Sequence, residues 1–503
     1  MINKPPEWIA RSVSRLRTSA PAASNADAKT VDKGADKAVK TGIDKTVTDV
    51  VAKPPVQRST HERLHATLRR GQESLSPRAL RRLLADLQEV VAPRVSEIEG
   101  GRRAQVVAEW YAKAQPEERR DMWLLMCEQF APDATRFKSA RQRYEAAAGT
   151  ADEGQAEISL RRALVSPRTR LLQRFSAYPE GMRFLVDLRA ELLPQLKSDK
   201  RLLALDAELE QLFSTWFDVA FLELRRLSWD SPASLIEKLI KYEAVHDIRS
   251  WADLKNRLDS DRRCYGFFHP RLPNEPLIFV EVALVDRISS SIIPLLDEGA
   301  APADLRKATT AIFYSISNTQ KGLRGVSFGD SLIKHVVETL TAEFPRLRTF
   351  ATLSPIPGFR AWLGKQAGVM LDRLDDKRRQ ELGRAVGFEP PQATHLLAAL
   401  DNVQALDAKS AVRQMLLECA ARYLARELHE GKPLDPVARF HLGNGARVER
   451  INWAGDPSPK GFKQSYGLMV NYLYDIKRID KHRSLLAQGK VPVSGDIDNL
   501  CRD

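Results

Sequence analysis

Apolar residues recur at helical spacing through the first third of the chain and give way to short β-rich runs in its second half. Ser59 and Glu62 have the spacing of a capping box and mark the head of a first helix. Ser76-Pro77 then supplies an N-cap and a first-turn proline ahead of Leu80, Leu83, Leu84, Leu87 and Val91, a stripe along one helical face. Similar stripes pass through Trp110, Trp123 and Phe130, and again through Leu160, Leu164 and Leu171, so helices alone are predicted over residues 59–178. Further helical stretches cover Arg183 to Leu193 and Leu202 to Leu227, with Phe213, Trp216, Phe217 and Phe221 expected in the core.

At Cys264 the period changes. Tyr265-Gly-Phe-Phe and Pro276 to Leu284 flank a proline-rich turn, His269 to Asn274, and two β-rich runs across a turn predict a hairpin. A helical spacer is expected from Leu295 to Ala308, then a strand from Ala311 to Asn318. The glycine turn Arg324-Gly325-Val326-Ser327-Phe328-Gly329 and an amphipathic run from Asp330 to Phe344 follow it. Arg348 to Leu353 is a second strand that ends at Ser354-Pro355-Ile-Pro357-Gly358. Residues 373–430 are helical by pattern, and Ala446 to Trp453 is a late strand. The fold class expected is α+β, an all-α domain over 59–178 followed by a mixed α/β domain over 179–503 with a helical insertion.

Composition adds limits to this outline. With 503 residues, 43% of them hydrophobic and 28% charged, the chain exceeds the usual reach of one core and implies at least two domains. Residues 1–58 hold repeated Asp-Lys pairs and no aromatic residue after Trp8, too little apolar surface to offset chain entropy, and are expected to be a disordered tail. Arg11, Arg15 and Arg17 give its opening a likeness to a transit peptide, which the acidic residues after them weaken. The +13 formal charge comes from Lys and Arg interleaved with Asp and Glu along helices, the pattern of a solvated surface and not of a nucleic-acid face. No apolar stretch is long enough to cross a membrane, and Cys127, Cys264, Cys419 and Cys501 are too far apart for a zinc motif or disulfide framework. A reducing, cytoplasmic setting is expected.

Strand, glycine turn and helix in that order gather backbone N–H groups and a helix N-terminus around one point, as in sites that hold a pyrophosphate. The turn is neither a Walker A loop nor a complete GxGxxG. Ser354, extended ahead of Pro355, is either a turn former or a fixed hydroxyl at the mouth of the strands, and it does not sit in a G-x-S-x-G elbow. His441 carries a side chain that titrates near neutrality and can move a proton. His269 precedes a proline in the hairpin turn and reads as structural, while Asn452 and Asn471 are open to pocket, core or capping roles.

The strand, the R-x-x-(G/S)-x-G turn and the helix resemble the acyl-CoA site of the GNAT superfamily, with Ser327 in place of the usual middle glycine. Phe440-His441-Leu442-Gly443-Asn444-Gly445-Ala446 matches a second GNAT element, with histidine where acetyltransferases commonly have tyrosine. In that superfamily the strand before the turn is splayed and binds the pantetheine arm, which would fall to Ser315, Ile316 and Ser317. The segments HPRLPNEPL (269 to 277), FYSISNTQKGLRGV (313 to 326), FATLSPIPGF (350 to 359), FHLGNGA (440 to 446), INWAGD (451 to 456) and GLMVNYLYD (467 to 475) together resemble the malonyl-CoA decarboxylase family.

That resemblance implies a GNAT-like catalytic domain behind an N-terminal helical domain, and a lyase that turns malonyl-CoA into acetyl-CoA and CO2. It implies Ser354 and His441 as catalytic residues. Arg324, Gly325, Val326, Ser327, Phe328, Gly329 and Asp330 would form the acyl-CoA loop, with Ser315 and Tyr474 in support. Animal members carry Glu at the position of Ser327, so a carboxylate role does not transfer. A homotetramer built through the helical domain is also implied, with no cofactor beyond the CoA of the substrate. The chain ends Leu500-Cys501-Arg502-Asp503, without the peroxisomal Ser-Lys-Leu that eukaryotic relatives can carry. The alternatives are an acyl-CoA N-acyltransferase of GNAT type and a non-catalytic acyl-CoA sensor.

Overall fold

The computed structural model describes residues 58–503 except 72, 327–331, 402–405 and 503. The expected tail, residues 1–58, lies outside the described residues but for Arg58.

From Ser59 onward the predicted helices form, and their caps are the ones the sequence marks. Ser59 and Glu62 make the reciprocal capping box of Thr60–His65. Ser76 Oγ accepts from Ala79 N at 3.2 Å to start Pro77–Val91, whose Leu80, Leu83, Leu87 and Val90 are buried. Helices Glu97–Lys113, Pro116–Gln129, Ala134–Ala147, Glu153–Leu164 and Pro167–Ser176 follow. Gly181–Leu192 and Leu203–Trp216 complete the helical part, and their buried faces share one apolar cluster with the sheet.

The sheet has eight strands: β1 (Glu223–Leu227), β2 (Arg262–His269), β3 (Leu272–Val285), β4 (Thr310–Asn318), β5 (Thr349–Thr352), β6 (Ser354–Pro355), β9 (Arg447–Asn452) and β10 (Met469–Leu473). A separate hairpin pairs β7 (Leu428–His429) with β8 (Lys432–Pro433). The order β1-β2-β3-β4 is antiparallel throughout, β4 runs parallel to β5, and β10 pairs antiparallel with β5, β6 and β9. This is a mixed α+β architecture, as the pattern predicts.

Four assignments made from the pattern change. The stretch read as helical to Leu227 stops at Trp216, where Asp218 caps a short 3-10 turn, and Glu223–Leu227 becomes the edge strand β1. The charges of Glu223, Arg225 and Arg226 suit an edge, where charge blocks further pairing. Phe221, expected in the core, is 60% exposed, whereas Phe213 and Phe217 are fully buried. The spacer expected as helix from Leu295 to Ala308 is helical only at Ile293–Leu296; Gly299 and Pro302 interrupt the rest. The helical insertion is also broken at its end, where β7 and β8 turn through Glu430 and Gly431, both at positive φ.

Two features open the sheet at its centre. Pairing between β4 and β5 covers only Thr310↔Thr349 through Phe313↔Thr352. Beyond Phe313, β4 continues to Asn318 paired with β3 alone, and a register shift between Glu281 and Val282 bulges β4 at Tyr314. A wedge is left between the C-terminal half of β4 and the β5–β6 line, and the helix Leu332–Glu343 follows β4 as predicted.

Candidate active site

Ser354 stands where β5 passes into β6, with its backbone paired to Val470 of β10. The residue is 5% exposed, and Oγ donates to Thr352 Oγ1 at 2.9 Å. Thr352 Oγ1 in turn accepts from Tyr472 N at 3.1 Å, so a hydroxyl stands in for a ladder carbonyl next to the serine.

His441 lies on the short helix Pro436–Gly443. Asp435 caps it, accepting from Val437 N and Ala438 N at 2.9 Å each, and is itself fully buried against Tyr423 OH at 3.3 Å. Pro436 occupies the first helical position, which needs no N–H donor. After the helix, Gly445 adopts φ +85, and a Cβ there would run into Ile479. The Gly-Asn-Gly-Ala sequence is thus a tight exit that returns the chain to β9 and leaves His441 facing the wedge.

The two residues meet: Ser354 Oγ and His441 Nε2 are 3.2 Å apart. On its other side His441 Nδ1 lies 2.8 Å from Tyr474 OH, and the ring stacks on Tyr472 at 4.8 Å between centroids. Tyr474 OH is bonded to His441 Nδ1, and a buried phenol donates where it can. Tyr474 therefore donates a hydrogen bond to Nδ1, the Nε2 atom carries the imidazole proton, and that proton points at Ser354. The resulting chain runs Tyr474, His441, Ser354, Thr352.

Burial without any charged neighbour pushes His441 down from the usual 6.5 to about 3. The same cause holds Tyr474 well above an ordinary phenol. At neutral pH the four groups of the chain are therefore all uncharged.

A cavity of about 620 Å³ occupies the wedge, a size that suits a small-molecule arm. Ser315, Ile316, Val326, Ser354 and His441 line it, with Lys432 and Arg439 adding positive charge. The structure thus brings together Ser354, His441, Ser315 and Val326, and places Tyr474 directly behind the histidine. Ser315 Oγ donates to Glu243 at 2.8 Å. Arg324 is exposed and Gly325 adopts φ +84, the left-handed conformation the turn requires. Neither lines the cavity. Ser327, Phe328, Gly329 and Asp330 lie outside the described residues.

His269 is structural: Nδ1 accepts from Arg271 N at 3.1 Å, and the ring packs on Phe217. Asn452 and Asn471 bond each other at 2.8 Å, and Asn471 Nδ2 reaches Thr352 O at 2.7 Å, bracing β5 from beneath. Thr352, Tyr472 and Asp435 were not singled out from sequence. Asp435-Pro436 is an N-cap and N1 pair that marks a helix start and would have located the last of them.

A strand that parts from its parallel neighbour and is followed by a helix, with a buried chain of hydrogen-bonded serine, histidine and tyrosine at the fork, defines an α+β protein with its candidate site in a split sheet. The family model for the malonyl-CoA decarboxylase C-terminal domain matches residues 220–503, and that for the N-terminal domain matches residues 130–217. The chain belongs to the malonyl-CoA decarboxylase family.

It is 40% identical over 336 residues to the mitochondrial malonyl-CoA decarboxylase of Anser anser anser, covering 64% of this chain and 66% of that one. With the mouse protein of the same name, Mus musculus, it is 39% identical over 361 residues, 69% of this chain and 73% of the other. Among solved structures, malonyl-CoA decarboxylase from Rhodopseudomonas palustris superposes with a TM-score of 0.72 at 39% identity, over 84% of this chain and 99% of that one. The Cupriavidus metallidurans structure gives 0.68 at 44% identity, over 84% and 100%.

Proposed function

We propose that the protein decarboxylates malonyl-CoA to acetyl-CoA and CO2, and that Ser354 and His441 carry the reaction. The observation that supports this most is the 3.2 Å contact between Ser354 Oγ and His441 Nε2 at the cavity wall.

The thioester is its own electron sink. When the carbon–carbon bond to the carboxylate breaks, CO2 departs and the electron pair passes into the thioester enolate, so the reaction calls for no cofactor beyond the CoA of its substrate. What remains for the protein is to hold the carboxylate out of the thioester plane, stabilise the enolate oxygen and protonate carbon. In this reading Ser354 orients the malonyl group by hydrogen bonding. His441 delivers the Nε2 proton to the α carbon while Nδ1 takes the proton of Tyr474, so that no imidazolate forms. After product leaves, water in the cavity protonates Nε2 as Nδ1 returns its proton to the phenolate, and the overall change is one proton taken up for each CO2 released.

An uncharged floor suits the task. His441 held near 3 keeps positive charge away from the departing carboxylate, where a cation would stabilise the ground state. The positive charge of Lys432 and Arg439 at the cavity fits a polyanionic substrate.

Ser315 and the residues from Arg324 to Asp330 complete the reading as the wall and turn that hold the CoA arm. A homotetramer and a cytoplasmic location belong to the same proposal; light scattering and cell fractionation test them. No helix among the described residues is long and apolar enough to cross a membrane, and all four cysteines are free.

The test is incubation of purified protein with malonyl-CoA, with and without an amine acceptor, followed by mass spectrometry. Acetyl-CoA formed without the amine supports decarboxylation. An acylated amine would point to a transferase, and binding without turnover to a sensor.

A further inference from the structure

Two buried ionic side chains from outside the wedge touch the strand and turn that shape it. The first is Glu243, just past the helix Ala233–Tyr242 and 8% exposed. Its Oε1 accepts from Val245 N at 2.7 Å and His246 N at 2.8 Å. The carboxylate also takes Ser315 Oγ at 2.8 Å and Ser317 Oγ at 3.2 Å, two residues on one face of β4 in the stretch where the strand has left β5. Ala244 N donates to Ser317 Oγ at 3.1 Å, closing the bracket.

The second is Arg189, on the helix Gly181–Leu192 of the helical part and 1% exposed. Nη1 donates to Gly322 O at 2.8 Å and Arg324 O at 2.9 Å, while Nε is held by Asp206 Oδ1 at 2.7 Å. The approach is close enough that a Cβ on Gly322 would collide with the Val186 carbonyl. One turn earlier Arg183 Nη1 reaches Gln320 Oε1 at 2.6 Å. The first half of the turn thus rests on a helix of the N-terminal part.

We propose that Glu243 and Arg189 are positioning residues that preorganise the acyl-CoA strand and the start of the turn, Glu243 keeping β4 apart from β5 and Arg189 fixing the backbone at Gly322 and Arg324. Both act on substrate binding through backbone geometry and touch neither substrate nor the Ser354–His441 pair. A preorganised site binds more tightly because the ordering cost is met in folding. The helical part thereby sets the affinity for the CoA arm. The inference rests on the acyl-CoA reading above.

The test compares Glu243→Gln and Arg189→Met with the wild type on malonyl-CoA and on malonyl-N-acetylcysteamine, a short thioester that lacks the nucleotide and most of the arm. Each variant should raise KM for malonyl-CoA about tenfold, the loss of one charge-assisted hydrogen bond, with kcat within about twofold. The penalty should shrink on the short thioester, and Arg189→Lys should recover part of the affinity. Equal losses on both substrates, a fall in kcat alone, or unchanged KM would each overturn the proposal.

If a variant lacks a cooperative melting transition, Glu243→Asp replaces Glu243→Gln and Arg189→Gln replaces Arg189→Met, with the same expectations. If the wild type fails to turn over malonyl-CoA, the functional reading has failed, and calorimetric binding of CoA then decides this proposal. An about tenfold weaker binding in the variants supports it, and equal binding refutes it.

Discussion

Replacing Tyr474 with Phe removes one oxygen atom and interrogates the proton path directly. The hydroxyl is buried, lies 2.8 Å from His441 Nδ1 and does not line the cavity, so its loss leaves the substrate's contacts untouched. Two consequences can be given magnitudes. Nδ1 becomes a buried acceptor without a partner, which costs about 1–3 kcal/mol of folding stability. In the reaction, Nε2 gives up its proton just as Nδ1 needs one, so the missing hydrogen bond is worth about 1.5–3 kcal/mol in the transition state. That is about ten- to a hundredfold in kcat. Stopped-flow measurement of acetyl-CoA formation gives kcat and KM, and thermal melting gives the stability change. The account expects a large fall in kcat with KM near the wild-type value. A Tyr474→Phe enzyme that melts earlier but turns over within about twofold of wild type would show that the phenol is only a packing partner and would sink the relay.

The pH dependence of stability supplies a second test. His441 is held near 3 in the folded protein against 6.5 ordinarily, so between those values the unfolded chain binds a proton that the folded one refuses. Unfolding free energy therefore falls as pH drops through that window, by about 1.4 kcal/mol per pH unit for this group. His246, held near 4, adds a similar slope. Urea titrations at several pH values should show His441→Asn losing about one proton's worth of the slope, and an unchanged slope would contradict the burial argument. A third test removes the cap of the helix that carries the histidine: Asp435→Ala should cost about 0.5–2 kcal/mol in urea titrations. It should also lower kcat about tenfold or more by moving His441 off line. Loss of stability with full activity would mean that the helix keeps its place without the cap.

The parts of the fold that sequence made legible are those with a strong local signal. Capped amphipathic helices such as Pro77–Val91 announce themselves through Ser76-Pro77 and a regular leucine stripe, and β2 and β3 through dense β-rich runs about a proline turn. Strand β1 was hidden because Glu223–Leu227 has little hydrophobic content of its own; its conformation comes from pairing with β2, a tertiary term no local window contains. The same holds for the interior strand β10, whose Met469–Leu473 reads as a short apolar run with an asparagine in it. Asn471 is there because its side chain bonds across the sheet to Thr352 O. At the site, the resemblance proposed Ser354 and His441, and the coordinates place them in contact although 87 positions separate them. Glu243 and Arg189 carried no sequence signal at all. Each is one charged residue at the end or in the middle of an ordinary helix, and only the fold puts it under the strand and the turn.

In the proposed mechanism one uncharged serine–histidine pair converts malonyl-CoA to acetyl-CoA. The most direct test is quantitative conversion of malonyl-CoA by wild type, Ser354→Ala and His441→Ala, with acetyl-CoA and CO2 counted together. The account predicts one CO2 for each acetyl-CoA in the wild type and a fall of about a hundredfold or more in kcat for His441→Ala, the span of a lost general acid. Ser354→Ala should lose turnover as well. Near wild-type turnover in both variants, with unaltered malonyl-CoA affinity, would contradict it.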